Sequence, residues 1–351
     1  MGWVVPREAS PKIWYHDKIE TIKLKGVFCV AAIAVVGSLN MDLVIRAPRQ
    51  PRLGETLLGG SFGMTGGGKG ANQAVACARL RAESHMIGCV GDDHFGARLR
   101  TTLTESRIGC DCLETRSEAG TGVAVVTVAD GGASTIVLSQ GANALLDEAV
   151  LERAKELFKK VDAVLFQLES PPEAVAFGLK MARRTGCRTF LSADPLFPLP
   201  PEAWHMIDCL VLNQTALDFY SPGQSSGDAV PERKIADLAQ QLIARGVKTV
   251  VVTRSARGGM VFSRGKSFDF LPFKVQALDS TGARDAFCAA LSVGISEGMP
   301  IERAVRFAAA AGALACTRFG AQPSMPWRHE VEAMLETDGD RGERAPESGT
   351  R

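Results

Sequence analysis

The stretch Leu278-Asp279-Ser280-Thr281-Gly282-Ala283-Arg284-Asp285-Ala286-Phe287 leaves a strand-like run and opens a long helix of small residues. The first turn of a helix presents N–H groups without intrahelical acceptors and a partial positive charge, which together can hold an anion. Asp285 sits in that field. It is either a capping carboxylate or a general base beside a site where phosphate charge develops. Upstream, Asn40 and Asp42 lie two apart in an extended segment, so they share one face and can grip vicinal hydroxyls, unless the segment is a solvated strand end. Gly63-Met64-Thr65-Gly66-Gly67-Gly68-Lys69-Gly70-Ala71-Asn72-Gln73-Ala74 nearly spells a phosphate loop. Gly70, however, stands where that motif needs a Ser or Thr for magnesium, which excludes it. The glycines instead let backbone approach a ligand while Lys69 and Asn72 add donors at the mouth of an alanine-rich helix; a tight structural turn is the plainer alternative.

These residues need a scaffold, and the chain alternates in a way that supplies one. Residues 27–36 form a continuous apolar β run, the mark of a strand covered on both faces. Short strands at 55–62, 121–128 and 134–138, the last two joined through Gly131-Gly132, suggest a small β lid. Strands at 86–90, 163–167, 189–191, 209–212 and 249–252 alternate with helices at 95–105, 146–158, 172–183 and 235–245. This is the rhythm of an α/β fold with a doubly wound, mostly parallel sheet flanked by helices. Two short strands (259–262 and 267–271) and helices at 286–298, 301–317 and 327–335 complete the body. Ligands of such sheets collect at the carboxyl ends of the strands, and Gln167-Leu168-Glu169, Asn213 and Thr253 each directly follow an apolar β run. We expect an extension over 1–25, one domain over 26–336 and a disordered polar tail over 337–351.

Composition narrows the partners. Among 351 residues, 40 lysines and arginines against 39 acids leave a net charge of +1, with no basic patch to argue for nucleic acid, so a small molecule is the better default. The nine cysteines form no CxxC pair and have no histidine at ligand spacing; they read as reduced thiols of a cytoplasmic protein. The apolar run at 27–36 is too short to span a bilayer and lacks a cleavage site, so no membrane association is expected.

Five blocks, in register over about residues 30–335, resemble the ribokinase group of PfkB-type sugar kinases: Gly37-Ser38-Leu39-Asn40-Met41-Asp42, Gly67-Gly68-Lys69-Gly70-Ala71-Asn72-Gln73-Ala74, Gln167-Leu168-Glu169, the turn from Asp279 to Asp285, and Gly320-Ala321-Gln322-Pro323-Ser324. The resemblance implies a ribokinase-like fold and transfer of the ATP γ-phosphoryl group to the 5-hydroxyl of D-ribose. By the same carry-over, Asn40, Asp42, Gly68, Lys69, Asn72 and Glu169 hold the sugar and Asp285 takes the hydroxyl proton. Gly282, Ala283 and Arg284 form the anion hole, and Asn213, Thr253, Ser255 and Gly258 line the nucleotide. Mg2+ is implied on the phosphates, mainly through water, and K+ at Asp279, Thr281, Ala315, Arg318, Gly320 and Ser324. A β lid at roughly 40–66 and 114–142 is implied to join two copies in a homodimer.

Four places depart from the pattern of the resemblance. Arg284 stands for a glycine in the anion-hole turn, Ala216 for a glutamate after Asn213, and Ser255 for a glycine of the nucleotide loop. Ser192-Ala193-Asp194-Pro195 replaces an Asn-Pro-Ala-Pro-like strand end. All lie on the nucleotide side, so a second expectation is an impaired relative that binds sugar or acts as a regulatory partner. Arginine at 284 both narrows the hole and brings a cation; we expect the steric loss to win, so that Arg284→Gly raises turnover.

Overall fold

The computed structural model describes residues 30–130, 133–221 and 230–342. The expected extension at 1–25, the start of the first apolar run, the Gly131-Gly132 turn and positions 343–351 lie outside the described residues.

The strands in chain order are β1 (Ala32–Val36), β2 (Asn40–Ala47), β3 (Phe62–Gly67), β4 (Glu83–Gly91), β5 (Gly109–Arg116), β6 (Gly122–Ala129), β7 (Ser134–Ser139), β8 (Ala163–Phe166), β9 (Arg188–Ser192), β10 (Cys209–Asn213), β11 (Thr249–Thr253), β12 (Gly259–Ser263) and β13 (Lys266–Phe270). Nine of them form one sheet in the order β13-β12-β11-β10-β9-β8-β1-β4-β5, and four form a second in the order β3-β2-β6-β7. The large sheet is parallel except where β12 pairs antiparallel with both β11 and β13. Its central strand explains the unbroken apolar run. Ala32, Ala34 and Val36 face a core shared with the Pro172–Thr185 and Glu232–Ala244 helices, while Ile33 and Val35 face a core shared with the Lys69–Arg79, Ala283–Ser296 and Ile301–Ala315 helices. The expected doubly wound α/β architecture is therefore present.

From β1 the chain steps outward to β4 and β5, then returns to the other side of β1 and steps outward from β8 to β13. The carboxyl ends of β1 and β8, neighbours in register at Val36 and Phe166, thus flank the point where strand order reverses. A crevice opens there in open α/β sheets. The small sheet springs from the same place. Asn40 pairs with Gly67 on one side and Gly122 on the other, so the base of the lid is part of the crevice and its far strand β7 is solvent-exposed along its whole length.

Several boundaries differ from expectation. The strand expected at 55–62 begins only at Phe62, because the partner of β2 is the glycine-rich 62–67 segment rather than the leucines before it. At Gly66 and Gly67 any Cβ would stand within 3 Å of the Gln322 and Asp42 side chains. Close approach, not β propensity, selects the strand. β5 was not expected; it is an edge strand of alternating polarity, Cys110-Asp111-Cys112-Leu113-Glu114, whose register against β4 shifts between His85 and Ile87. The second lid segment accordingly starts at Gly122 rather than near 114, since residues 114–116 belong to the main sheet. The expected helix at 146–158 is broken into Glu148–Arg153 and Lys155–Phe158. The last helix, Arg328–Gly342, continues past the residue where the tail was expected to begin. No described helix is long and apolar enough to cross a membrane, and the eight described cysteines are free thiols.

The Ala283–Ser296 and Ile301–Ala315 helices pack through small residues, Ala286, Ala289 and Ala290 against Ala304, Ala308 and Ala311, all buried. A Cβ at Gly312 would lie 3.1 Å from the Ala283 carbonyl, so contact is tight at the very start of the first helix. That contact fixes where the helix aims its N-terminus.

Candidate active site

Asp285, in the first turn of that helix, is 5% exposed. Its Oδ2 accepts from Asn72 Nδ2 and its Oδ1 from Gln73 Nε2, both at 3.0 Å. Gln73 Oε1 in turn accepts from Gln167 Nε2 at 2.7 Å, which ties the carboxylate to the end of β8. Burial pushes the Asp285 carboxyl up, while Lys69 and the two amide donors pull it down less strongly. Asn72 Oδ1 is buried without a protein partner. A group in that state calls for a ligand donor.

The glycines before the Lys69–Arg79 helix bring β2 against it. Gly68 has φ +86°, and a Cβ there would sit 2.7 Å from the Asn40 N–H nitrogen. At Gly67 a Cβ would fall within 2.4 Å of the Asp42 carboxylate. The sequence-selected polar groups meet as a result. Glu169 Oε2 accepts from Ser38 Oγ at 2.5 Å, from the Lys69 backbone N–H at 3.3 Å and from Asn40 Nδ2 at 3.4 Å. Lys69 Nζ lies 2.5 Å from Asp194 Oδ2 and 3.9 Å from Glu169 Oε1. Burial works against the Lys69 charge, but Asp285, Asp194 and Glu169 outweigh it and hold the ammonium above its ordinary range. Burial first, then the charges of Glu169 and Asp285, push Asp42 up to about 7 against the pull of Lys69.

At the anion-hole turn Gly282 has φ +77° and precedes the helix. The Ala283 N–H is spent on the Ser280 carbonyl at 3.2 Å, whereas those of Gly282, Arg284 and Asp285 have no acceptor among the described residues. Of the expected Gly282, Ala283 and Arg284, the first and last thus keep an N–H without an acceptor. Arg284 extends to the end of β9, where NH1 lies 3.3 Å from Asp194 Oδ2, rather than folding over its own helix start. Asp194 is held below the ordinary carboxylate range: burial opposes this, and Lys69 and Arg284 prevail.

Asn213, Thr253 and Ser255 line a cavity of about 360 Å³ together with Gln214, Thr215, Arg254, Ala256 and Arg257. Asn213 Oδ1 caps the next short helix by accepting from the Ala216 N–H at 2.8 Å. Gly258 does not line the cavity but closes its loop, its carbonyl accepting from the Arg254 N–H at 2.7 Å. A second cavity, about 300 Å³, opens across the sheet at the amino ends of β1, β4 and β5 and includes Ala32, Glu83 and Gly109; it touches none of these groups.

The loop pair at 279–281 and 315–324 also comes together. Asp279 Oδ1 accepts from the Thr281 N–H and hydroxyl at 2.9 and 2.7 Å, and Oδ2 from the Gly320 N–H at 2.9 Å. Burial opposes ionisation of Asp279, but these bonds hold its carboxyl below the ordinary range. Ser324 Oγ donates to the Ala321 carbonyl at 2.8 Å, and the Ala315 carbonyl accepts from the Arg318 N–H at 3.4 Å. The Arg318 side chain turns away to Glu330, so only its backbone is available to this loop pair.

Sequence reading missed Ser38, Gln73, Asn143 and Asp194. Asn143, 2% exposed, donates to Asn40 Oδ1 at 2.8 Å and to the Leu39 carbonyl at 3.0 Å. The one signal for it was an amide among apolar neighbours, in Gly141-Ala142-Asn143-Ala144-Leu145.

The pfkB family carbohydrate kinase pattern matches residues 30–328. The chain is 37% identical over 304 residues to the ribokinase of Bacillus subtilis, covering 86% of this chain and 99% of that protein. To the ribokinase of Haemophilus influenzae it is 34% identical over 304 residues, covering 87% and 98%. The structure of Arabidopsis thaliana ribokinase complexed with ribose and ATP superimposes with a TM-score of 0.81 at 30% identity, over 88% of this chain and 99% of the other. With a buried carboxylate at a helix mouth, a strand-order switch point and these relatives, the chain belongs to the pfkB family of carbohydrate kinases.

Proposed function

We propose that this protein transfers the γ-phosphoryl group of ATP to the 5-hydroxyl of D-ribose, yielding ribose 5-phosphate and ADP. The observation that carries the reading is the buried Asp285 carboxylate, oriented by Asn72 and Gln73, at a helix start with unspent N–H groups. The likeness to a ribokinase complexed with ribose and ATP supports the identity of both substrates.

Asn40, Asp42, Gly68, Lys69, Asn72 and Glu169 hold the sugar. The carboxylates and amide oxygens accept its hydroxyl protons; the ammonium and amide nitrogens donate to its oxygens. Asp285 accepts the proton of the 5-hydroxyl as that oxygen attacks the γ-phosphorus. The new O–P bond forms while the bond from γ-phosphorus to the β,γ-bridging oxygen breaks, and ADP leaves with that electron pair. The raised proton affinity of Asp285 strengthens it as a base, and Lys69 with the two amide donors opposes the rise. Charge on the γ-oxygens meets the N–H groups of Gly282, Arg284 and Asp285. The nucleotide lies along Asn213, Thr253 and Ser255, with Gly258 closing the loop that carries Ser255.

A bound Mg2+ would supply positive charge to offset the negative charge of the phosphates. Ala216 offers it no donor and Asp194 is already paired with Lys69 and Arg284, so the residues fit an ion carried in on ATP and held largely through water. K+ fits the 279–281 and 315–324 loops: Asp279 brings the charge, and Thr281, Ser324 and the carbonyls of Ala315, Arg318 and Gly320 bring hard oxygens. Its part is to fix the anion-hole turn. Exposed Val125, Ile136, Val137 and Leu138 on the lid support a homodimer formed there, and the free thiols agree with a reducing, cytoplasmic setting.

Coupled measurement of ADP release with and without D-ribose, followed by NMR of the product, tests the reading. Ribose-dependent ADP with phosphate on C5 is expected. ADP release independent of ribose, or phosphate on another carbon, overturns it.

A further inference from the structure

The strand ends bordering the site run β11, β10, β9, β8, β1. The nucleotide cavity hangs on Asn213 and Thr253, at the ends of β10 and β11, and the sugar groups Ser38 and Glu169 follow β1 and β8. Between them β9 ends in Ser192, followed by Ala193-Asp194. A phosphoryl group passing from nucleotide to sugar crosses this end. There the Asp194 carboxylate bridges two cations, Lys69 Nζ at 2.5 Å and Arg284 NH1 at 3.3 Å. Lys69 is also held by Glu169 and Asp285, whereas Arg284 pairs among the described residues with Asp194 alone, so its charge is the one left for an incoming phosphate, next to N–H groups that also lack an acceptor there.

Arginine has five donors in a rigid fork. With NH1 on Asp194, its remaining N–H groups are free to meet a phosphate oxygen, and a long side chain with many rotamers is held in one of them. Both residues depart from the pattern the sequence resembles, and they are in contact with each other. We infer that Arg284 binds the transferring phosphoryl group and that Asp194 is the residue that positions it, so that the two act as a unit. This rests on the sugar-kinase reading above and reverses the expectation that the arginine merely crowds the anion hole.

The test is a double-mutant cycle on the full chain with R284G, R284K, D194N and R284G/D194N. Turnover and the KM for ATP are measured, with calorimetry of D-ribose and of a non-hydrolysable ATP analogue. R284G should lower kcat about tenfold or more and weaken the analogue several-fold, while ribose affinity stays within about twofold and reports that the fold is intact. R284K should recover part of the loss. D194N should lower kcat in the parent chain but not in the R284G background; any change it makes through Lys69 appears in ribose affinity in both. Turnover of R284G equal to or above the parent, or a D194N loss in kcat that is the same in both backgrounds, overturns the inference. Should the parent prove inactive on ribose while binding ATP, the substrate reading fails, and analogue affinity across the four variants still decides the role of Arg284.

Discussion

Burial and two neighbouring acids bring the charge change of Asp42 into the working range of pH. The residue shares its pocket with Glu169, Asp285 and Lys69, and burial with the two acids lifts it to about 7. Only when ionised can both of its oxygens accept hydrogen bonds from sugar hydroxyls. Ribose affinity should therefore strengthen as pH rises from about 6 to about 8 and level off above, and Asp42→Asn should flatten the profile and weaken binding; calorimetry across that range decides. The sign for stability is opposite. Between the ordinary carboxyl value of 3.8 and about 7 the folded chain holds a proton that the unfolded chain has released, so the contribution of Asp42 falls as pH rises. Groups such as Asp285, Lys69 and Asn72 were legible in the sequence because each stands at a helix mouth, where local chemistry is readable. Gln73, Asn143 and Asp194 were not, because their roles come from contacts made by folding; Gln73 meets Asp285 across 212 positions.

The turn between β11 and β12 carries measurable strain. Ser255 has φ +52°, a left-handed conformation that costs a non-glycine residue about 1–2 kcal/mol. Glycine would remove that cost, and the added freedom of the unfolded chain would return about 0.4–1 kcal/mol of it. Ser255→Gly should thus stabilise the protein by roughly 0.5–1 kcal/mol, seen as a raised denaturation midpoint, with no loss of ATP affinity. The paired loops at 279–281 and 315–324 give a second expectation. If a cation there fixes the anion-hole turn, exchanging potassium for sodium at matched ionic strength should lower kcat well before it lowers ribose affinity, and equal rates in the two salts would remove the site. Elements with one strong period were legible, including the central strand and the two alanine-rich helices. The position of β3 and the existence of β5 were not, since one is selected by close backbone approach beside Asp42 and Gln322 and the other is an edge strand of mixed polarity.

At the scale of the molecule, strand order makes the site. Reversal at β1 and β8 opens the crevice, the lid rises from Asn40, Gly67 and Gly122 at its rim, and the nucleotide cavity lies two strands away. The rhythm of the sequence announced the class of fold but not this order, which depends on pairings between distant segments. If the exposed apolar lid face forms the proposed dimer, Val137, 72% exposed, should be a sensitive point, and Val137→Lys should shift sedimentation from dimer to monomer. A parent chain that sediments as a monomer would count against the lid interface. Phosphoryl transfer depends above all on Asp285, whose amide variant keeps shape and loses the proton acceptor. Steady-state ADP release by Asp285→Asn, with ribose binding measured on the same sample, should show turnover reduced about 10²- to 10⁴-fold and ribose affinity nearly unchanged. Turnover at the parent rate would mean that Asp285 only caps its helix and that the base lies elsewhere.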